Sequence, residues 1–363
     1  MKLFRQKFSL IFILLVGIFS SSSLSQNVIK SNFTDKNSVA EACANPTPTP
    51  KPKPKPKPKP PEAKVEAESP EEPEEAEELV KTSEKSIQTE AKVNVSLCVN
   101  EGKVKVTGWD RNEVRVFVNE GNSIGFKVRQ KDKSSDKPVL LDVVNSNSKG
   151  EKPCLSGEEI EIDVPKTATV EFGGQESETN FDSIYKVRIE TNSGNISLNN
   201  IENGVEAKTY EGLITLEKIK GNVNVYSSSG GIIAYNISPN EPSDSFKART
   251  ESGVINLKNV SHSRLETKSI SGIIKYSGEI INGGSYNFGT TSGAIMLTIP
   301  NDSSCKIIAT YGFGSFTSEI PFKTLTKDVS SKAQKMVVQM GTGEADVFIS
   351  TFSSVIKINS LKK

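Results

Sequence analysis

The sequence predicts an all-β chain: a parallel β-solenoid, preceded by an N-terminal β cap subdomain and a disordered N-terminal tether. Three observations carry this. A phrase of two alternating apolar residues followed by Thr-x-Ser-Gly-x-Ile recurs through the C-terminal half, the apolar positions change parity at its Ser-Gly step, and the residues ahead of it fall into blocks of different composition.

The pivots of the phrase are Gly194, Gly212, Gly230, Gly253, Gly272, Gly293, Gly314, Gly343 and Ser354. They recur about every 20 residues, the mark of a solenoid whose repeats bury their apolar faces only against neighbouring repeats. Apolar residues precede each pivot at odd offsets and follow it at even ones. The first copy has Val187, Ile189, Ile196 and Leu198, the second Val205, Ala207, Ile214 and Leu216, and the last Val347, Ile349, Ile356 and Ile358. Side chains alternate strictly within one strand, so this switch places a corner at the Ser-Gly step. Glycine suits such a corner because it takes positive φ at little steric cost. Gly194, Gly212, Gly230, Gly253, Gly272 and Gly293 are the expected structural corners, and residues 181–363 the solenoid.

The same offsets occur once upstream, about Gly102, in Val95, Leu97, Val99, Val104 and Val106. The rhythm then lapses, and strand-like runs at 124–128, 139–144 and 160–164 read as a cap, giving an N-terminal coil and cap subdomain over 92–180. A cap is needed because an open solenoid end presents unpaired strand edges. Trp109 is its expected packing anchor against the solenoid.

The run Gly108-Trp109-Asp110-Arg111-Asn112-Glu113-Val114-Arg115-Val116, the step Asp163-Val164-Pro165-Lys166 and the Thr-x-Ser-Gly-x-Ile coils together resemble a bacterial family of candidate adhesins of unknown function, over roughly residues 92 to 363. The resemblance implies a right-handed β-solenoid on an extracytoplasmic protein, with no catalytic residues to carry over. Members often have Asp after the Ser-Gly step. Here Asn195, Leu213, Gly231, Val254, Ile273 and Ala294 stand there, so no role resting on a column of carboxylates is expected.

Ahead of the domain, Lys2, Arg5 and Lys7 precede the apolar run 8–19 and the small residues Ser23-Leu24-Ser25. This is the layout of a secretory signal spanning 1–25, directing the chain to the periplasm, the cell surface or the medium. Left uncleaved, it is the one expected membrane contact. Cys43 has Glu41 before it and lies far beyond the apolar run, which disfavours a lipoprotein. Residues 26–91 form the tether. Its first part alternates Pro with Thr and Lys from Pro46 to Pro61, an extended polyproline II spacer. From Glu62 to Glu90 there are eleven Glu against three Lys and few apolar side chains, too little to offset the entropy of ordering.

The full chain has 45 basic and 44 acidic residues, which leaves no footprint for nucleic acid. Export permits disulfides. Cys98 falls four before Gly102, an outward position, and Cys154 lies in the cap, so these two are the candidate pair, with free thiols the alternative. Cys305, nine before Gly314, faces the core, and no Cys-x-x-Cys or His pairing suggests a metal or cofactor. The lone His262, between Val260 and Leu265, reads as an exposed loop residue, and a triad needs a histidine held beside a nucleophile. The Ser-Gly serines repeat along the scaffold and are explained by it. No catalytic residue is expected.

Outward columns complete the reading. Six before each pivot stand Arg188, Glu206, Asn224, Lys247, Glu266 and Asn287; four before stand Glu190, Lys208, Tyr226, Arg249 and Lys268. Stacked coils then set Arg188 beside Glu206 and Glu190 beside Lys208, a solvated face of alternating charge. Toward the C-terminus the first column becomes Ile308, Val337 and Phe348, flanked by uncharged Thr310, Gln339 and Ser350. Such an apolar strip calls for a cover, either the segment 319–331 folding back, a strand of the N-terminal subdomain, or a partner. The function expected is that of an extracytoplasmic, non-catalytic, adhesin-like protein binding a protein or polysaccharide of the envelope or surface. A structural, self-associating envelope component is the first alternative, and a polysaccharide-active enzyme with a cryptic site the second.

Overall fold

The computed structural model describes residues 82–129, 138–148, 153–330 and 333–362; the signal and nearly all of the tether lie outside them. The N-terminal part comprises β1 (Ser83–Gln88), β2 (Val93–Trp109), β3 (Glu113–Asn119), β4 (Ile124–Arg129), β5 (Val139–Asn145), β6 (Leu155–Pro165) and β7 (Thr169–Asp182). Regular coils follow as strand pairs: β8 (Lys186–Ser193) with β9 (Ile196–Ile201), β10 (Val205–Glu211) with β11 (Ile214–Ile219), and β12 (Val223–Ser229) with β13 (Ile232–Ile237). Next come β14 (Phe246–Ser252) with β15 (Ile255–Val260), β16 (Arg264–Ser271) with β17 (Ile274–Ser277), and β18 (Ser285–Ser292) with β19 (Ile295–Ile299). The last strands are β20 (Cys305–Phe313), β21 (Phe316–Ser318), β22 (Lys323–Val329), β23 (Gln334–Met340), β24 (Ala345–Ser353) and β25 (Ile356–Ser360).

The first strand of each coil pairs in parallel with the first strand of the next, and the second with the second, without register shifts from β8 to β19. Equivalent apolar residues therefore stack. Ile196, Ile214, Ile232, Ile255, Ile274 and Ile295 form one fully buried column. Each such side chain contributes about 1.5–3 kcal/mol of burial relative to exposure.

The corner explains the Ser-Gly step and the Thr before it. Gly212, Gly230 and Gly253 have φ of 146°, 153° and 150°. A Cβ on Gly253 would lie 2.0 Å from the Gly230 carbonyl oxygen, and one on Gly230 2.1 Å from that of Gly212. Glycine is thus required twice, by backbone conformation and by the previous corner's approach. That same carbonyl receives a hydroxyl from inside the coil: Thr250 donates to Gly230 at 3.0 Å, Ser227 to Gly212 at 2.9 Å and Thr290 to Gly272 at 3.3 Å. These hydroxyls are buried, so the ladder satisfies polar groups that would otherwise be costly.

A second corner is one that the repeat phrase does not announce. Asn200, Lys218, Asn236 and Asn259 take φ of 53–57°, one residue before buried Ile201, Ile219, Ile237 and Val260. Left-handed backbone there restores inward parity, and Asn tolerates it better than most residues. Its mark in the sequence is an inward apolar residue seven, not six, after each glycine.

At both ends the stack departs from chain order. β2 lies between β7 on one side and β5 and β6 on the other, all parallel, while β3, β4 and β1 pair antiparallel outside them. The periodicity lapses because β3 and β4 leave the stack and β5 and β6 rejoin it beyond β2. At the other end β24 pairs with β18 and with β20, and β25 with β19 and β21, so the last coil fills a slot between two earlier ones. Thr351 accordingly donates to the Gly293 carbonyl.

Three expectations are corrected. Gly343 is not a corner: it lies in the turn after β23, which runs antiparallel to β20, and its φ of 78° serves that turn. The disordered stretch does not reach residue 91, because Ser83–Gln88 form β1, where backbone pairing to β3 and the packing of Ile87 replace the missing apolar content. Trp109 does not anchor the cap to the solenoid through the core; its Nε1 donates to the Glu113 carbonyl at 2.7 Å with Arg111 over the ring, fixing the turn between β2 and β3.

Gly253→Val is expected to destabilise the domain by more than about 3 kcal/mol, adding steric overlap with the Gly230 carbonyl to strained backbone. Denaturant unfolding checks this, and an unchanged midpoint contradicts the corner geometry.

Candidate functional site

The outward face built on the first strand of each coil is the candidate site. Along its middle the charge pairs form as register demands: Lys208 to Glu190 at 2.8 Å and Arg188 to Glu206 at 3.7 Å. Glu190, with the Tyr210 hydroxyl, raises the Lys208 pKa. These groups are solvated and screened, and they serve register more than stability.

Beyond β16 the face changes character. Asn287 on β18 stands beside Phe348 on β24, Phe348 beside Ile308 on β20, and Ile308 beside Val337 on β23. The three apolar residues are adjacent, but in the order Phe348, Ile308, Val337, with Val337 arriving on an antiparallel strand. Phe348 is 40% exposed, and Ile308 and Val337 are half-buried. The described part of segment 319–331, residues 319–330, does not cover them: Ile320 is buried, Phe322 packs on the core edge-on to Phe316, and β22 pairs along β23 to prolong the sheet. That segment caps the open end of the core instead.

A second apolar wall faces the strip across the strands. Phe352 is 57% exposed and meets Phe313 edge-on at 5.6 Å, while Ile270 lies exposed on β16. Between the walls Gly289, Ser350 and Thr310 lie side by side on β18, β24 and β20. They make a floor of small side chains in the column that elsewhere holds Lys208, Tyr226, Arg249 and Lys268. A hollow of about 600 Å³ opens over the Gly289 and Ser350 part of this floor toward Tyr226, Arg249, Glu251 and Lys268. The Glu251 carboxylate accepts the Tyr226 hydroxyl at 2.8 Å. Gly289 is not required by its backbone, which lacks the positive φ of the corners, and an added Cβ would meet the rotatable Ser350 hydroxyl at 3.2 Å and the flexible Lys268 side chain at 4.0 Å. Glycine inside a strand costs about 0.5–1 kcal/mol relative to Ala, so its presence here is explained by the space it leaves.

At the N-terminal end Gly173 opens a second hollow, of about 740 Å³, beside Cys98. Cys98 and Cys154 are joined as a disulfide with Cα atoms 4.6 Å apart, tying β2 to the loop before β6. Cys305 is fully buried and free, and burial pushes its thiol up to about 11, which leaves it inert. No group of three His, Cys, Asp or Glu capable of holding a metal occurs among the described residues.

His262 overturns its assignment as an exposed loop residue. It is fully buried, its Nε2 lies 2.8 Å from the Gly221 carbonyl oxygen, and its ring packs by Phe246 at 6.1 Å. Its flanking serines conceal that the three-residue turn points this ring inward. The bond to a carbonyl places the proton on Nε2, leaving Nδ1 without a partner among the described residues. Desolvation lowers its pKa, outweighing the Gly221 carbonyl and Asp244, which favour the charged form.

Capped and register-locked, the domain is a β-solenoid whose outer sheet bears one differentiated face. The chain belongs to the Toastrack DUF4097 family, whose profile matches residues 72–359. No curated protein matches it. Among solved structures it is similar to a candidate cell adhesion protein from Clostridium sporogenes at 12% identity, covering 78% of this chain and 100% of that one, with a TM-score of 0.21. It is also similar to a candidate adhesin from Bacteroides fragilis, at 12% identity, 77% and 97% coverage and a TM-score of 0.28. A third, a candidate adhesin from Parabacteroides merdae, shows 11% identity, 78% and 96% coverage and a TM-score of 0.29.

Because the folded pKa of His262 is lowered, its contribution to stability is intact above the unfolded value near pH 6.5 and lost as the pH falls toward the folded value. Melting temperature followed from pH 7.5 to 5 should therefore fall more steeply in the wild type than in His262→Gln. Parallel curves would show that the ring does not titrate against folding.

Proposed function

We propose that this chain is an exported, non-catalytic, adhesin-like protein whose outer face binds a protein or polysaccharide of the envelope or surface. The observation that carries the reading is the apolar strip of Phe348, Ile308 and Val337, uncovered among the described residues and backed by the exposed pair Phe313 and Phe352. A monomer that leaves contiguous apolar surface open commonly uses it for contact. Export is supported by the basic, apolar and small-residue order of the first 25 residues, and the alternating Pro-Lys sequence that follows has the composition of a spacer. The buried His262 and the scaffold role of the corner hydroxyls support a non-catalytic reading, since each has a structural task.

Self-association is the second reading, favoured by β22, an edge strand with every residue exposed. Lys323, Lys327 and the irregularity beside Leu325 guard that edge, so the apolar strip is the stronger candidate.

The test is the double variant Phe348→Asp with Val337→Lys in the exported protein, measured for attachment to a panel of bacterial envelopes, matrix proteins and glycans, for oligomeric state by light scattering, and for melting temperature. Lost attachment at unchanged melting temperature is the expected result. A large fall in melting temperature makes the strip an internal seam, loss of an oligomer alone supports the second reading, and no change in any property moves the binding surface elsewhere.

A further inference from the structure

The binding reading of the outer face can be carried to a ligand class, and the inference rests on that reading. We propose that the groove floored by Gly289, Ser350 and Thr310 binds a linear anionic glycan lying along the solenoid axis.

The groove crosses the strands. Its floor steps from β18 to β24 to β20 in register, so each step advances about 4.8 Å, close to the length of one pyranose ring in an extended glycan. The walls offer what sugar rings use. Phe348 and Ile308 on one side and Phe352 on the other present apolar faces to the C–H surfaces of a pyranose, and Ser350, Thr310 and Thr291 present hydroxyls to its oxygens. An extended peptide is served poorly here. Backbone amides of an inner sheet strand are bonded within the sheet, so a peptide crossing this face finds none of the main-chain partners that an edge gives it.

Charge selects among glycans. The floor is bracketed by cations in its own column, Lys268 beside Gly289 and Lys335 beside Thr310, roughly 19 Å apart at four strand spacings. Lys268 is paired with Glu266, so each end keeps one cation without a carboxylate of its own among the described residues. Lys268 and Arg249 share the single carboxylate of Glu266, Arg249 at 3.9 Å, and Lys335 forms no ion pair with its cross-strand neighbour Asp328. The remaining carboxylate, Glu251, is held by Tyr226 and Ser228. Anionic groups spaced along a chain of a few sugar units would meet both ends.

The test is calorimetric titration of the exported protein with hyaluronan and polygalacturonate oligosaccharides, with cello-oligosaccharides as the neutral linear control, at two ionic strengths. An anionic oligosaccharide should bind at least tenfold more tightly than the neutral one and weaken with salt. Gly289→Gln, which fills the floor without changing charge, should weaken binding at least tenfold at unchanged melting temperature, and Lys268→Gln with Lys335→Gln should flatten the salt dependence. No binding of either anionic probe, or binding indifferent to Gly289→Gln, overturns the proposal. If attachment to an intact surface is then lost on protease treatment yet survives periodate oxidation, the glycan is excluded while the binding face stands. If nothing attaches at all, both readings fall.

Discussion

Everything in this domain depends on how closely one corner sits upon the next. Along the regular coils the carbonyl oxygen of one corner lies where the following corner's Cβ would be, and at Gly194, Gly212, Gly230, Gly272 and Gly293 an inward hydroxyl donates to it. In the regular coils one position thus calls for glycine, and the position three before it favours Thr or Ser. Because both contacts run between successive coils, a slip of one residue would break them together with the inward parity of every side chain. The corner therefore fixes register, and register creates columns. The buried isoleucine column, the paired charges and the groove floor are all consequences of it.

Closure of the ends follows a different rule. At each end the chain passes one coil beyond a gap, builds antiparallel strands, and has a coil of its own clamped between two others. Neither β2, near the start, nor β24 and β25, at the finish, lies at an end of the stack, so fraying is resisted from both sides. The hairpin of β22 and β23 prolongs one sheet, and Ile320 and Phe322 fill the core beneath it. The change of the outer face from charged to apolar coincides with this rearrangement, because β24 brings Phe348 and Phe352 into the inserted coil.

Features that repeat locally are legible in the sequence. Val187, Ile189, Ile196 and Leu198 and their successors declare inward columns, and the equal offsets of Arg188 and Glu206 from their glycines suffice to pair them. Features decided between distant segments are not legible. Gly343 keeps the apolar offsets of a true corner in Met336, Val338, Ala345 and Val347, though not its Thr and Ser, yet β23 runs antiparallel, since strand direction depends on which segments meet. The insertion of β24 beside β18 leaves no periodic signal for the same reason. Lys218 hides a left-handed corner because nothing in its side chain announces one, and His262 hides its burial among serines. The strip can be named residue by residue, but its groove cannot, because Gly289 becomes a floor only when Ser350 is placed next to it.

That placement is the central structural claim, and cross-linking addresses it directly. With β24 inserted, Asn287 and Phe348 are register neighbours on adjacent strands, whereas Asn287 and Ile308 are two strands apart. Adjacent strands lie about 4.8 Å apart and alternate ones about twice that, beyond the reach of a disulfide. Asn287→Cys with Phe348→Cys should oxidise to a cross-link that peptide mapping recovers, while Asn287→Cys with Ile308→Cys should remain reduced. A cross-link between positions 287 and 308, with none between 287 and 348, would show a stack in simple chain order and remove the groove with it.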